Sequence, residues 1–177
     1  MDVALSEPSV LLGAEDIARC VDAVAARIAP VISDETIAVA LLTGGVWFAA
    51  DLTRALARLG RHVRFDALWL ASYGDGHVSA GRCEVRAGIQ RPVAGRQVLI
   101  VDDVFDSGTS LVEARSYLMD AGAREVLSVV FARKPWPKPR SVEPDFIAWE
   151  APARYLVGYG LDDAGAWRGL PYIGALD

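Results

Sequence analysis

VLIVDDVFDSGTSL, Val98 to Leu111, decides the fold. It opens on four apolar residues, Val98 to Val101, the pattern of a strand buried on both faces. Two adjacent carboxylates, Asp102 and Asp103, end that strand, and a third, Asp106, follows three residues later. Ser107, Gly108, Thr109 and Ser110 then lead into a helical run from Leu111. The order is strand, acidic tip, tight loop, helix N-terminus. Small residues let the backbone come close to a ligand, and the first N–H groups of a helix have no internal partner, so they can bind an anion. Two hydroxyls and Asp106 face the same space. A sugar phosphate suits it, with phosphate on the amides and ribose hydroxyls on the carboxylates. The plainer reading is a strand–turn–helix in which Ser and Asp serve only as caps.

Composition bounds the rest. The 177 residues fit one domain, 1–177, with a full-sized core. Apolar residues make up 53 %, as in a globular chain. The net charge of −5 argues against a nucleic-acid partner, which asks for a basic excess. Two cysteines, Cys20 and Cys83, and no leader pattern read as a reduced, cytoplasmic setting. Cys83, set among Arg82, Glu84 and Arg86, is expected to face the core of a strand. Two cysteines and two histidines argue against a structural zinc site. The longest uncharged apolar run, Thr36 to Ala50, is too short to span a bilayer, and Gly44 and Gly45 break it.

Working outward, residues 1–13 read as a loose lead-in. Ala14 to Ala29 reads as a helix, with Ile17, Val21, Val24 and Ile28 on one face and Pro30 as its stop. Thr36 to Thr43 is a buried strand, Gly44-Gly45 a turn, and Val46 to Leu59 a helix closed by Gly60. His62 to Ser72 is a strand. Residues 73–81 carry three glycines and read as a mobile loop or lid. Arg82 to Arg86 resumes an alternating strand. The helix after the acidic tip runs from about Thr109 to Ala121, with Gly122 as its cap. Glu125 to Ala132 and Asp145 to Glu150 are strands, separated by a stiff proline-rich loop, Lys134 to Arg140. Tyr155 begins a strand leading into an acidic turn at Asp162 and Asp163, and Pro171 to Leu176 closes the sheet. Alternating strands and helices predict an α/β fold with a mainly parallel sheet. Its ligand belongs beyond the carboxyl ends of the strands, where the Gly44 turn and the Asp102–Ser110 loop face one crevice.

The Val98–Leu111 stretch resembles the phosphoribosyl-diphosphate (PRPP) signature of the type I phosphoribosyltransferases. Receiver domains also end a strand in paired Asp, but near the chain start and without a Ser-Gly-Thr-Ser loop. Leu41 to Leu52 resembles the pyrophosphate loop of the purine branch and Ser72-Tyr73-Gly74 its mobile catalytic loop, and Ala132 to Pro135 and the tail from Pro144 to Leu176 resemble that branch too. Val157 to Asp162, with Arg168 and Leu170 to Gly174, is similar to the hypoxanthine-guanine members. The resemblance implies a single-domain type I phosphoribosyltransferase-like fold. A mainly parallel central sheet is flanked by helices, and a small base-binding hood is built from the C-terminal segment, 134–177.

It also implies an activity: transfer of the 5-phosphoribosyl group from PRPP to N9 of hypoxanthine, guanine or xanthine, with pyrophosphate released. That reaction builds positive charge on the ribose and negative charge on the leaving group, so the site works by positioning and electrostatics. By the same resemblance Asp106 is the general base near purine N7. Ser72 and Tyr73 close over the reacting centre and exclude water. PRPP is held by Asp102 and Asp103 at the ribose, by Ser107, Gly108, Thr109 and Ser110 at the 5′-phosphate, and by Thr43, Gly44 and Arg168 at the pyrophosphate. Lys134 donates to the 6-oxo group, Tyr155 stacks on the base, and the Leu156 backbone meets its edge. Asp162, with Asp102 and Asp103, helps hold Mg2+. A homodimer or homotetramer is implied.

Read without the resemblance, several of these residues keep a second role open. Asp106 could cap the helix, Lys134 could be a surface lysine, Tyr155 a core tyrosine, and Asp162 and Arg168 ordinary surface charges. Two departures stand out. Thr43 replaces a lysine common before the paired glycines, and Asp163 stands where an aromatic is usual. The competing functional readings are a PRPP-sensing regulator that binds RNA or protein on this fold, of the pyrimidine-operon attenuator type, and a catalytically dead subunit.

Overall fold

The computed structural model describes residues 7–72 and 83–176. Its elements are β1 (Ser9–Leu12), α1 (Ala14–Ile28), β2 (Ile37–Leu42), α2 (Gly45–Arg58), β3 (Arg64–Ser72), β4 (Cys83–Ala87), β5 (Gln97–Phe105), α3 (Thr109–Asp120), β6 (Glu125–Arg133), β7 (Phe146–Glu150), β8 (Tyr155–Val157) and β9 (Ile173–Leu176). Six strands form the main sheet in the order β4-β3-β2-β5-β6-β7. Strands β3, β2, β5, β6 and β7 run parallel, and β4 pairs antiparallel with β3.

The helices form because their apolar residues recur on one face. In α1 these are Ile17, Val21, Val24, Ala25 and Ile28, with Glu15 and Asp16 in the first turn where they suit the helix dipole. Helices α1 and α2 cover one face of the sheet, and α3 covers the other through Leu111, Ala114 and Leu118. With both faces covered, five of the six β2 residues are buried, which accounts for the unbroken apolar run in its sequence. Each fully buried Leu or Phe contributes roughly 1.5–3 kcal/mol. Phe131 of β6 lies edge-on to Phe48 of α2 at 5.3 Å and to Tyr159 at 5.0 Å, so one ring joins the sheet, a helix and the tail.

Three expectations change. Residues 9–12 are not a loose lead-in: β1 pairs antiparallel with β9, Ser9 opposite Ala175. Strand β9 does not close the main sheet. It sits between β1 and β8 in a separate three-stranded sheet, so the hood takes one strand from the beginning of the chain. And β5 does not stop at the acidic pair. Its partner β6 continues, Val104 pairing with Ala132 and Phe105 with Arg133, so the ladder carries the strand through both carboxylates. The expected loop over 73–81, with Tyr73, lies outside the described residues, as do the side chains of Ser72 and Cys83.

Candidate active site

Along β5 the side chains alternate between the two cores. Val98 and Ile100 face α3, and Leu99 and Val101 face α1 and α2. The phase then reverses: Val104 packs on the α1–α2 side and Phe105 on the α3 side. A strict two-residue period would put adjacent side chains on opposite faces. The reversal falls on Asp102 and Asp103 and sets their carboxyl groups against each other. The Asp103 N–H donates to Asp102 Oδ1 at 3.0 Å and the Val104 N–H to Asp103 Oδ1 at 2.8 Å. Burial, and then the neighbouring Asp103 charge, raise Asp102 well above the usual carboxylate range. Burial also raises Asp103, against the hydrogen bonds it makes with Asp102 and the backbone and, least, the pull of Arg168.

A carboxyl raised on folding stabilises fully below the ordinary carboxylate range. That contribution is lost as pH rises toward the raised value, because the unfolded chain gives up its proton first. Asp102→Asn is therefore expected to raise thermal stability at pH 7–8. The gain is on the order of 1 kcal/mol, about 2–4 °C, and fades near pH 4. Melting curves across that range check it. An equal gain at both ends would mean that charge crowding is not the cause.

Beyond β5 the chain turns through Ser107 and Gly108 into α3. Gly108 is the N-cap residue, with φ +86°, and no side chain caps the helix. Asp106 is thus not a cap, and among the described residues the one side-chain oxygen that reaches a first-turn amide is Ser107 Oγ, which lies 3.4 Å from the Thr109 nitrogen. Ser107 Oγ and Thr109 Oγ1 lie 3.0 Å apart beside it, and Ser110 is exposed. A Cβ on Gly108 would stand 3.0 Å from the Phe105 ring.

The Gly44 turn meets this loop directly. A Cβ on Gly44 would fall 1.7 Å from Asp103 Oδ2, and one on Gly160 would fall 2.2 Å from the Gly44 carbonyl oxygen. The turn is wedged between the acidic strand and the tail, with Thr43 exposed at its edge. Arg168 completes the wall. It donates to the Gly160 carbonyl and pairs with Asp162 at 2.7 Å, so neither charge is a free surface group. The other Asp162 oxygen accepts the Gly165 N–H at 2.7 Å.

A cleft of about 210 Å³ opens between these parts, lined by Asp103, Asp106, Lys134, Tyr155, Leu156 and Asp162 among others. Lys134 Nζ stands 3.5 Å from Asp106 Oδ1. Tyr155 is 53 % exposed, so it is not a core tyrosine. Its hydroxyl reaches Asp163 Oδ1 at 3.3 Å, giving that unexpected carboxylate a contact. The buried tyrosine of the tail is Tyr159, which donates to Asp51 Oδ2 at 2.9 Å. Leu156, 6 % exposed, packs in the core and also borders the cleft. Among the described residues no three His, Cys, Asp or Glu side chains are grouped to hold a metal ion by themselves.

The structure also engages residues that no sequence pattern singled out. Arg140 folds back from the proline-rich loop onto the carbonyls of Asp106 and Lys134. Asp66 accepts the N–H groups of Gln90 and Arg91, holding the segment after β4 against β3. An arginine after Pro135, Pro137 and Pro139 was the one available sign, and it reads equally well as a surface charge.

Known proteins share this arrangement. The phosphoribosyl transferase domain family matches residues 15–163. The hypoxanthine-guanine phosphoribosyltransferase of Bacillus subtilis (strain 168) is 33 % identical over 172 residues, 94 % of this chain and 92 % of that protein. The protein of the same name from Aquifex aeolicus is 34 % identical, over 93 % of this chain and 92 % of its own. The crystal structure of a hypoxanthine phosphoribosyltransferase from Staphylococcus aureus superposes with a TM-score of 0.87 at 28 % identity, over 98 % of this chain and 92 % of that one. A signature loop set on this sheet, a family match across most of its length and relatives similar nearly end to end together place the chain in the phosphoribosyltransferase family, on its hypoxanthine-guanine branch.

Proposed function

We propose that the protein works in purine salvage, transferring the 5-phosphoribosyl group of PRPP to N9 of hypoxanthine or guanine and releasing pyrophosphate. The observation that carries the reading is the single cleft in which Asp103, Asp106, Lys134, Tyr155 and Asp162 meet. In this reading the 5′-phosphate sits on the first turn of α3, with the Ser107 and Thr109 hydroxyls beside it. Asp102 and Asp103 hold the ribose hydroxyls. The Gly44 turn and Arg168 receive the pyrophosphate, whose leaving charge they stabilise. Lys134 donates to the 6-oxo group and so selects against 6-amino purines. Tyr155 stacks on the ring and the Leu156 backbone meets its edge. Asp106 takes the proton near N7 as N9 attacks C1. Ser72 and Tyr73 keep water from the ribosyl cation.

The residues fit Mg2+ bound mainly through substrate and water. Two crowded carboxyls sit at the ribose position, and Asp162 is already engaged with Arg168, so the protein offers a few carboxylates rather than a cage. The ion, when bound with PRPP, neutralises diphosphate charge. A cytoplasmic homodimer or homotetramer belongs to the same reading. No helix among the described residues is long and apolar enough to cross a membrane.

An assay with PRPP, Mg2+ and each of hypoxanthine, guanine, xanthine, adenine and uracil tests it. Turnover is expected with the 6-oxopurines and not with adenine or uracil. PRPP binding with no turnover of any base would overturn the enzymatic reading and favour a regulator.

A further inference from the structure

Asp106 and Lys134 follow different strands, yet their side chains must face one purine at fixed distances. The sheet guides them only so far. The Lys134 N–H donates to the Phe105 carbonyl at 3.1 Å, one rung past the β5–β6 ladder. Beyond that rung Asp106 opens the phosphate loop and Lys134 opens the proline-rich loop, and the two chains part.

Arg140 spans the gap. Its Nε donates to the Asp106 carbonyl at 2.7 Å, and its Nη2 donates to the Lys134 carbonyl. The guanidinium lies 4.6 Å from the centre of the Phe105 ring, and Nη1 is 3.3 Å from Glu143 Oε1. The side chain is 10 % exposed. Phe105 in turn packs against Gly108, so the stack reaches the phosphate loop. A flat group with donors on three nitrogens and a face for stacking is what arginine offers; lysine has one ammonium and no plane. Pro135, Pro137 and Pro139 restrict the loop that returns Arg140 to this place.

We infer that Arg140 is a positioning residue for phosphoribosyl transfer, a clamp that sets the purine-reading Lys134 and the base Asp106 at their working separation by holding their two backbone carbonyls. The inference rests on the roles proposed above for Lys134 and Asp106. The clamp touches neither substrate in this reading. It acts on the purine half of the site, and the pyrophosphate half, built on Gly44 and Arg168, does not depend on it.

Steady-state kinetics of Arg140→Met, Arg140→Lys, Lys134→Ala and the Arg140→Met/Lys134→Ala pair, with hypoxanthine and PRPP varied separately, test it. Arg140→Met keeps the stem and removes the fork. It is expected to lower kcat/KM for hypoxanthine by about 10- to 100-fold, the cost of a small misplacement, with the KM for PRPP changed by less than about threefold. Arg140→Lys, the variant safer for folding, recovers less than half of that loss on a logarithmic scale. In the Lys134→Ala background Arg140→Met costs less than it does alone, because one of the two groups being positioned is gone.

A purely structural arginine behaves otherwise. Its loss lowers the melting temperature and raises both KM values together, or its effect multiplies unchanged with Lys134→Ala, and either result overturns the clamp. If Lys134→Ala alone leaves hypoxanthine kinetics untouched, the proposed reading of Lys134 fails, and the clamp fails with it. If Lys134→Ala has its effect and neither Arg140 variant does, the clamp alone fails.

Discussion

Asp106→Asn is expected to lower kcat with hypoxanthine by about 10²- to 10⁴-fold, the usual worth of a positioned general base. The variant keeps the shape of the side chain and loses the proton acceptor. Its KM for PRPP should stay within about threefold, because the phosphate is assigned to the α3 amides and the hydroxyls beside them. Stability gives the contrast. The ion pair with Lys134 spans 3.5 Å, and Asp106 is 42 % exposed, so its loss costs at most about 1 kcal/mol, a melting shift of roughly 2–4 °C or less. A large catalytic loss in a chain of nearly normal stability would be the mark of the base. A loss below about tenfold would take that role from Asp106 and leave the reaction to positioning by Lys134 and the phosphate contacts.

Gly160→Ala is expected to damage both folding and PRPP binding. The backbone there has φ +100°, which costs a side chain about 1–3 kcal/mol. The new methyl would also meet the Gly44 carbonyl at 2.2 Å, a backbone atom that cannot rotate away. Together these give about 2–4 kcal/mol, a fall in melting temperature of roughly 5–10 °C. The kinetic effect follows from where the strain goes. Gly44 has Asp103 behind it, so pushing the turn disturbs the wall proposed for pyrophosphate and the carboxylate proposed for the ribose together. The KM for PRPP should rise by about tenfold or more. Gly169→Ala is the control: nothing lies within 4 Å of its added Cβ, and it should leave both readouts near the parent values. A Gly160→Ala protein with ordinary stability and ordinary PRPP kinetics would mean that the Gly44 turn has slack the structure does not show.

Local pattern carries much of this. The apolar run of β2, the face of α1 and the strand–loop–helix around Asp106 are written in consecutive residues, and the folded chain keeps them. What escaped depends on partners distant in sequence. Ser9 to Leu12 have no strong alternation and are only partly buried; they are a strand because β9 lies beside them. A charged pair normally ends an apolar strand, but β6 continues past it and holds β5 straight through. Tyr155 and Tyr159 look alike four residues apart, and only packing against Phe131 shows which is core and which faces the cleft. Arg140 is the clearest case, because its two main contacts are carbonyl oxygens, and no residue type announces those.

The small sheet has a consequence for how the protein is made. Of the described strands, β1 is made first and pairs with β9, which is made last, so that pair cannot form until the others have been synthesised. By then β2 to β7 have all been synthesised, and the large sheet can collapse around its own core. Strand β8, which carries Tyr155 and Leu156 into the cleft, is held through β9 as well. Synthesis therefore makes the strands of the large sheet available before the small sheet that holds Tyr155 and Leu156 is complete. A nascent chain stalled before residue 173 would own the acidic strand and the loop after it without the finished wall proposed to select the base.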